Sequence, residues 1–254
     1  MDSIVYFGSD FHLGIRNSRD REKKIVSWLD QAGQDATHIF LLGDLFDYWF
    51  EYKHFVPKGY VRFLGKLAEL KDAGIQIEIF TGNHDVWMFD YFPEEMDIQV
   101  HKDVQEYEFN KLRFLIGHGD GKGPGDHGYK RLRKVFHNPF LQFLYRQIHP
   151  DLAYQIATSF SRYSREKEVE SIPFLGKEKE WLIHYCEYKS HLHPEIDYFI
   201  FGHRHLPIYY SLSNQRSFYI NTGDWFDRGT YACLRGKNCY LYDYESGEII
   251  PPVP

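Results

Sequence analysis

The sequence predicts an α/β domain with a ligand site at the carboxyl edge of its sheet. Three observations carry that expectation. Apolar strand-like runs alternate with amphipathic helical stretches through residues 4–81, a β-α-β-α-β order that implies a largely parallel sheet. Five apolar runs end in side chains of the metal-binding kind, four of them with a Gly alongside. From residue 120 to about 193 the alternation gives way to helical and basic stretches before strands return.

Residues 4–9 form the first strand, and Asp10-Phe11-His12-Leu13-Gly14 is the loop after it. Residues 19–31 set Ile25, Val26, Trp28 and Leu29 on one helical face. The continuous apolar run 37–42 leads into Gly43-Asp44. Residues 58–73 are amphipathic, with Val61, Phe63, Leu64, Leu67 and Ala68 inward, and Gly74 stops them. The β-branched run 75–81 delivers Gly82-Asn83-His84-Asp85, at the edge where open α/β sheets place their ligands. An aromatic stretch follows, then a hairpin from 104–109 and 111–116 with its turn at Asn110-Lys111, and then His118.

Residues 120–193 open with a Gly-rich loop. Residues 129–136 carry Lys130, Arg131, Arg133 and Lys134. Apolar helical runs at 140–148 and 152–160 are split by Pro150, and another helix is expected at 177–188. These read as a helical cap inserted over the ligand edge of a single domain spanning 1–254. Strands at 198–201, 217–221, 231–234 and 240–244 are expected to pair antiparallel, in a second sheet packed on the first.

Composition fixes the broad class. Hydrophobic residues make up 43% and charged residues 26% of 254, the profile of a soluble globular protein. A net charge of -6 argues against a general affinity for nucleic acid, which needs a basic footprint. Three Cys, without regular spacing or a secretory leader, point to a reducing compartment. Cys233 and Cys239 flank a turn and are expected to be small core residues. No apolar run approaches the ~18 residues of a membrane span, so a cytoplasmic protein is expected, at most attached to a membrane surface.

The strand-end donors are Asp10, His12, Asp44, Asn83, His118, His203 and His205. Mixed oxygen and imidazole donors suit Mn, Fe, Co or Zn better than Mg or Ca. Seven donors exceed one tetrahedral shell but fit two ions if a carboxylate bridges, and Asp44, on a central strand, is the natural bridge. Two ions ~3.5–4 Å apart clamp a phosphate oxygen and lower the pKa of a shared water, which then attacks phosphorus as hydroxide. His84, beside Asn83, is placed to donate a proton or to hydrogen-bond a phosphate oxygen, and Asp85 joins it as a catalytic candidate. The chain holds its own control in His191-x-His193: no Gly and no apolar strand precede it, so a surface loop is expected there.

The order Asp10-x-His12, Gly43-Asp44-x-x-Asp47, Gly82-Asn83-His84-Asp85, Gly117-His118 and Gly202-His203-Arg204-His205 resembles the calcineurin-like metallophosphoesterases. The resemblance spans residues 4–223. It implies an α-β-β-α sandwich of two sheets flanked by helices. One metal would be held by Asp10, His12, Asp44 and His205, the other by Asp44, Asn83, His118 and His203. A closer likeness is to one branch, the UDP-2,3-diacylglucosamine pyrophosphohydrolases of lipid A biosynthesis. It rests on Gly43-Asp44-Leu45-Phe46-Asp47-x-Trp49, His118-Gly119-Asp120, Asp126-x-Gly128-Tyr129, His137-x-Pro139-x-Leu141-Gln142, Ser164-Arg165-Glu166 and His203-x-His205-x-Pro207.

The branch implies a lipid-linked sugar nucleotide cleaved to UMP and a lipid 1-phosphate, usually with Mn, at the cytoplasmic face of the inner membrane. Substrate contacts would come from Asn83, His84, Asp126, Tyr129, Ser164, Arg165, Lys167 and His203. This chain departs from the branch in carrying His84 where its best-known members have Arg, and Asp47 where they have Glu. Their downstream Asn and Lys fall on Glu168 and Ser171. The competing expectations are a phosphodiesterase or phosphatase for another nucleotide or phosphoester, and a non-catalytic scaffold on the same fold.

Overall fold

The computed structural model describes residues 2–15, 18–123, 127–168, 173–226 and 229–253; residues 127–129, 131–132 and 160–168 are described by backbone alone. Strand β1 (Val5–Gly8) leads into helix α1 (Ser18–Ala32), β2 (His38–Leu41), α2 (Val61–Asp72) and β3 (Gln76–Phe80). Short α3 (Tyr91–Met96) and β4 (Gln99–His101) follow. β1, β2, β3 and β4 lie parallel in that order. β5 (Gln105–Phe109) and β6 (Leu112–Ile116) form the expected hairpin. Asn110 and Lys111 turn it at φ 53° and 67°, the left-handed pair that matches strand twist.

Between β6 and β7 come α4 (His127–Phe136), α5 (Pro139–Arg146), α6 (Pro150–Glu168) and α7 (Trp181–Leu192), the last preceded by a 3₁₀ turn. Asn138 caps α5, its side chain accepting from the N–H groups of Phe140 and Leu141, and Pro139 occupies the first turn, where a missing N–H costs nothing. Pro150 likewise starts α6, which runs on without a break through 161–168. The closing strands are β7 (Tyr198–Phe201), β8 (Pro207–Ser211), β9 (Phe218–Thr222), β10 (Thr230–Arg235), β11 (Asn238–Asp243) and β12 (Ile249–Ile250).

Seven strands form the first sheet, in the order β12-β11-β10-β1-β2-β3-β4, and five the second, in the order β5-β6-β7-β9-β8. Period-2 alternation builds the layers. Val5 and Phe7 face the second sheet, among Phe40, Phe114, Ile200 and Ile220. Tyr6, between them, faces α1 and α2, among Trp28, Leu29, Phe63 and Leu67. On the far side, α7 buries Leu182, Ile183 and Cys186 against Phe199, Phe201 and Tyr219. The result is the α-β-β-α sandwich.

Four expectations need correction. β7 and β9 pair parallel, not antiparallel, because β8 crosses out and returns as the edge strand. β10 and β11 extend the first sheet rather than the second. Val61 is 75% exposed, and the inward face of α2 is Phe63, Leu67 and Leu70. His191 lies in the last turn of α7 and His193 caps it, so the pair is on the surface but not in a free loop. Cys233 and Cys239 are free and buried, on opposite faces of their sheet.

Candidate metal centre

Each expected donor follows the carboxyl end of a strand. Asp10 and His12 come after β1, Asp44 after β2, Asn83 after β3, His118 after β6, and His203 and His205 after β7. Both sheets therefore contribute. Asp10, His12, Asp44 and His205 bring one ligand atom each within 4.8 Å of one another, and Asp44, His118 and His203 do the same. Asp44 belongs to both groups. Asn83 Oδ1 lies 3.1 Å from His118 Nε2, which places it in the second.

The donor geometry fits two cations sharing one carboxylate. Asp44 Oδ2 is buried without a hydrogen bond. It lies 3.3 Å from His118 Nε2 and 3.9 Å from His12 Nε2, between the two groups. Asp44 Oδ1 instead accepts the His84 N–H at 2.8 Å. A buried carboxylate oxygen with no donor costs free energy unless a charge meets it. His118 Nδ1 donates to the Leu42 carbonyl at 2.7 Å, which leaves Nε2 facing the centre. Asp10 accepts the His203 N–H at 3.0 and 3.2 Å and the Ser9 hydroxyl, while Asp10 Oδ1 lies 3.2 Å from His205 Nε2.

The backbone is bent to deliver these groups. Asp10, His12, Asp44, His203 and His205 have φ of 54°, 43°, 51°, 69° and 55°, the left-handed region that non-Gly residues occupy at a cost. The neighbouring glycines are there for space. A Cβ on Gly82 would fall on the Asp44 side chain, and one on Gly43 would meet His118 Nδ1 at 2.8 Å.

Charge is arranged to match. Burial drives His12 well below its ordinary value and His203 down to about 4, so both are neutral and ready to ligate. Burial also opposes charge on His118 and His205, but carboxylates outweigh it. Asp44 raises His118 to about 10, and Asp10 raises His205 to about 9. Asp44 is held well below the carboxylate range: burial is overcome chiefly by the charge on His118.

Asp85 is turned away from this centre. Its carboxylate is fully buried and accepts the N–H groups of Gly82 and Leu45 at 2.7 Å each and of Asp44 and Phe46 at 3.3 Å. It ties the loop after β3 to the loop after β2, a positioning role. His84 Nδ1 stands 3.7 Å from Asp47 Oδ1, and its ring is edge-on to His12 at 4.9 Å. Asp126 lies outside the described residues, as do the side chains of Tyr129, Ser164, Arg165 and Lys167.

Sequence reasoning missed Asp224, whose carboxylate reaches 4.0 Å from His205 Nδ1. Its signal was present: strand 217–221 runs into Thr222-Gly223-Asp224, the pattern used for Asp44. Phe226, stacked on His12 at 5.3 Å with the Arg21 guanidinium 4.6 Å from its ring centre, carried no signal.

Helices α5 and α6 are anchored to the ligand-bearing loops by aromatic rings. Tyr145 of α5 packs 4.8 Å from Phe50 and 5.2 Å from Trp87, and Tyr154 of α6 meets Tyr48 at 5.5 Å. Trp87 Nε1 donates to the Phe136 carbonyl at 3.0 Å. Away from that anchor, Phe140, Phe143, Leu144, Leu152 and Ile156 stay exposed at 66, 58, 46, 52 and 38%. Arg133 of the basic stretch is paired with Asp103 at 3.0 Å.

Two packed mixed sheets with an Asp/His/Asn centre at their carboxyl edges define a metal-dependent phosphoesterase. The solved structure of Yfce, a phosphoesterase from E. coli, matches with a TM-score of 0.50 and 16% identity over 98% of each chain, a likeness of fold. No family model matches the chain. The chain is 39% identical to the UDP-2,3-diacylglucosamine hydrolase of Porphyromonas gingivalis, over 98% of its own length and 100% of that protein. The hydrolases of that name from Shigella dysenteriae and Vibrio parahaemolyticus are 26% and 24% identical, over 94% and 88% of this chain and 98% and 91% of theirs. The chain belongs to the UDP-2,3-diacylglucosamine hydrolase family.

Proposed function

We propose that the protein hydrolyses the pyrophosphate bond of UDP-2,3-diacylglucosamine, releasing UMP and 2,3-diacylglucosamine 1-phosphate. The observation that carries this is the 39% identity that extends through the cap. That cap holds an exposed apolar face on α5 and α6, suited to acyl chains, beside a polar metal centre.

Asp10, His12, Asp44 and His205 would hold one divalent cation, and Asp44, Asn83, His118 and His203 the other, with Mn proposed from the donor mix. The pair supplies Lewis-acid charge and lowers the pKa of a water. His84 donates to the leaving oxygen, with Asp47 steadying its ring. Asn83 and His203 hold phosphate oxygens, and Asp85 fixes the loop that presents Asn83. Asp126, Tyr129, Ser164, Arg165 and Lys167 are proposed substrate contacts from the cap. Exposed apolar and basic residues there also favour peripheral contact with the cytoplasmic face of the inner membrane. Among the described residues, no helix is long and apolar enough to cross a membrane.

The test is UMP release with Mn. Turnover of UDP-2,3-diacylglucosamine but not of UDP-N-acetylglucosamine is expected. Equal turnover of both would refute a lipid-selective site, and turnover of neither would refute the substrate class.

A further inference from the structure

We propose that Glu180 and Arg204 act as a positioning pair that sets how firmly His203 and His205 hold their metals. The inference rests on the metal assignment above and concerns residues outside the donor set. Arg204 stands between the two histidines. Both neighbours have left-handed backbone, at φ 69° and 55°, and the Arg204 N–H closes a tight turn onto the Gly202 carbonyl at 2.8 Å. A loop bent that way keeps its shape only if something outside it holds it.

Glu180 supplies the hold. Arg204 Nε and Nη2 donate to Glu180 Oε2 and Oε1, both at 2.9 Å, a two-pronged charge-assisted contact that fixes orientation as well as distance. The side chains are 2% exposed at Glu180 and 19% at Arg204. Glu180 is the N-cap residue of α7, and its side chain forms no capping bond to its own helix. Both of its oxygens are committed to the metal-site loop instead. The next residue, Trp181, meets the His203 ring edge-on at 5.8 Å. The start of α7 therefore grips the loop at two adjacent points. Partners that orient ligands from outside the metal shell typically change metal affinity about 10–100-fold when removed.

The test is Mn(II) binding to the full-length protein, followed by electron paramagnetic resonance of free Mn. Wild type should bind two ions. Glu180→Ala should bind at least one of them about 10–100-fold more weakly. Glu180→Gln, which keeps the shape and an acceptor, should recover much of the loss and keeps the proposal testable if the Ala variant does not fold. Arg235→Ala is the control, because it breaks the Arg235–Asp35 pair, at 2.7 Å, far from the loop. It should lower thermal stability and leave Mn affinity unchanged. Wild-type Mn affinity in folded Glu180→Ala, or equal loss in Arg235→Ala, overturns the positioning role. Failure of wild type to bind two ions would overturn the metal assignment itself.

Discussion

Asp44 is the residue on which both halves of the centre depend. Asp44→Ala should lose both ions by metal analysis and cut UMP release by several orders of magnitude, while circular dichroism stays that of a folded protein. Two retained ions with near-normal turnover would refute the bridge. His84 sits differently. Its side chain lies close to Asp47 and, with His12 and Asp47, forms a third group of ligand atoms within 4.8 Å of one another. With His84 a proton donor rather than a ligand, His84→Gln should slow turnover ~10²–10⁴-fold without loss of metal. Loss of metal would instead place His84 among the ligands. The grouping of the seven candidate donors was legible in the sequence because each follows an apolar run, most with a Gly that makes room. The contacts of Asp85 were not, since three of its four backbone partners are amides of the loop after β2, some 40 positions away. Glu180 and Arg204 were hidden for the same reason: nothing local in either residue names the other.

Helices and strands were legible wherever their periodicity was strong. α1 packs as its pattern requires, with Trp28 fully buried, and Trp28→Ala should cost about 3–5 kcal/mol in urea unfolding. The parallel run β1-β2-β3 follows from the helices between its strands. β4, β8 and β12 went unseen, being short or edge strands whose sequences barely alternate, and without β8 the pairing of β7 with β9 could not be foreseen. For the cap, the decisive question was whether its apolar residues form core or surface, and periodicity does not distinguish these. The structure leaves Leu152 half-exposed. Each methylene buried against an acyl chain is worth ~0.8 kcal/mol. Leu152→Ser should therefore raise KM for the diacylated substrate and barely change hydrolysis of bis(p-nitrophenyl) phosphate. Equal loss on both substrates would mean a structural role only.

At the scale of the molecule, the two sheets are stapled at one edge by a polar contact. Glu78 on β3 accepts from His101 on β4 and, across to the second sheet, from Tyr107 on β5 at 2.5 Å. Burial works to raise the Glu78 pKa, but the bonds from His101 and Tyr107 outweigh it and hold it below its ordinary value. A lowered folded-state pKa gives stability that is complete above the unfolded value and is lost as pH falls through the folded one. Glu78→Gln should thus lower Tm at pH 7, and the gap to wild type should narrow below about pH 4. A gap that widens in acid would contradict the assigned charge.

Asp10 and His203 are 193 positions apart in the chain, yet the backbone of one is bonded to the side chain of the other. A contact of that span is expected to form late in folding, because closing so long a loop costs entropy before the contact repays it. The complete centre draws donors from both sheets, so an ion should find all of its ligands only after the barrier to folding is crossed. Kinetically, Mn should then act as a latch. Refolding from urea should proceed at the same rate with and without the ion, and unfolding should slow as occupancy rises. Stopped-flow tryptophan fluorescence separates the two arms. Faster refolding with Mn would mean that the strand ends meet before the sheets do.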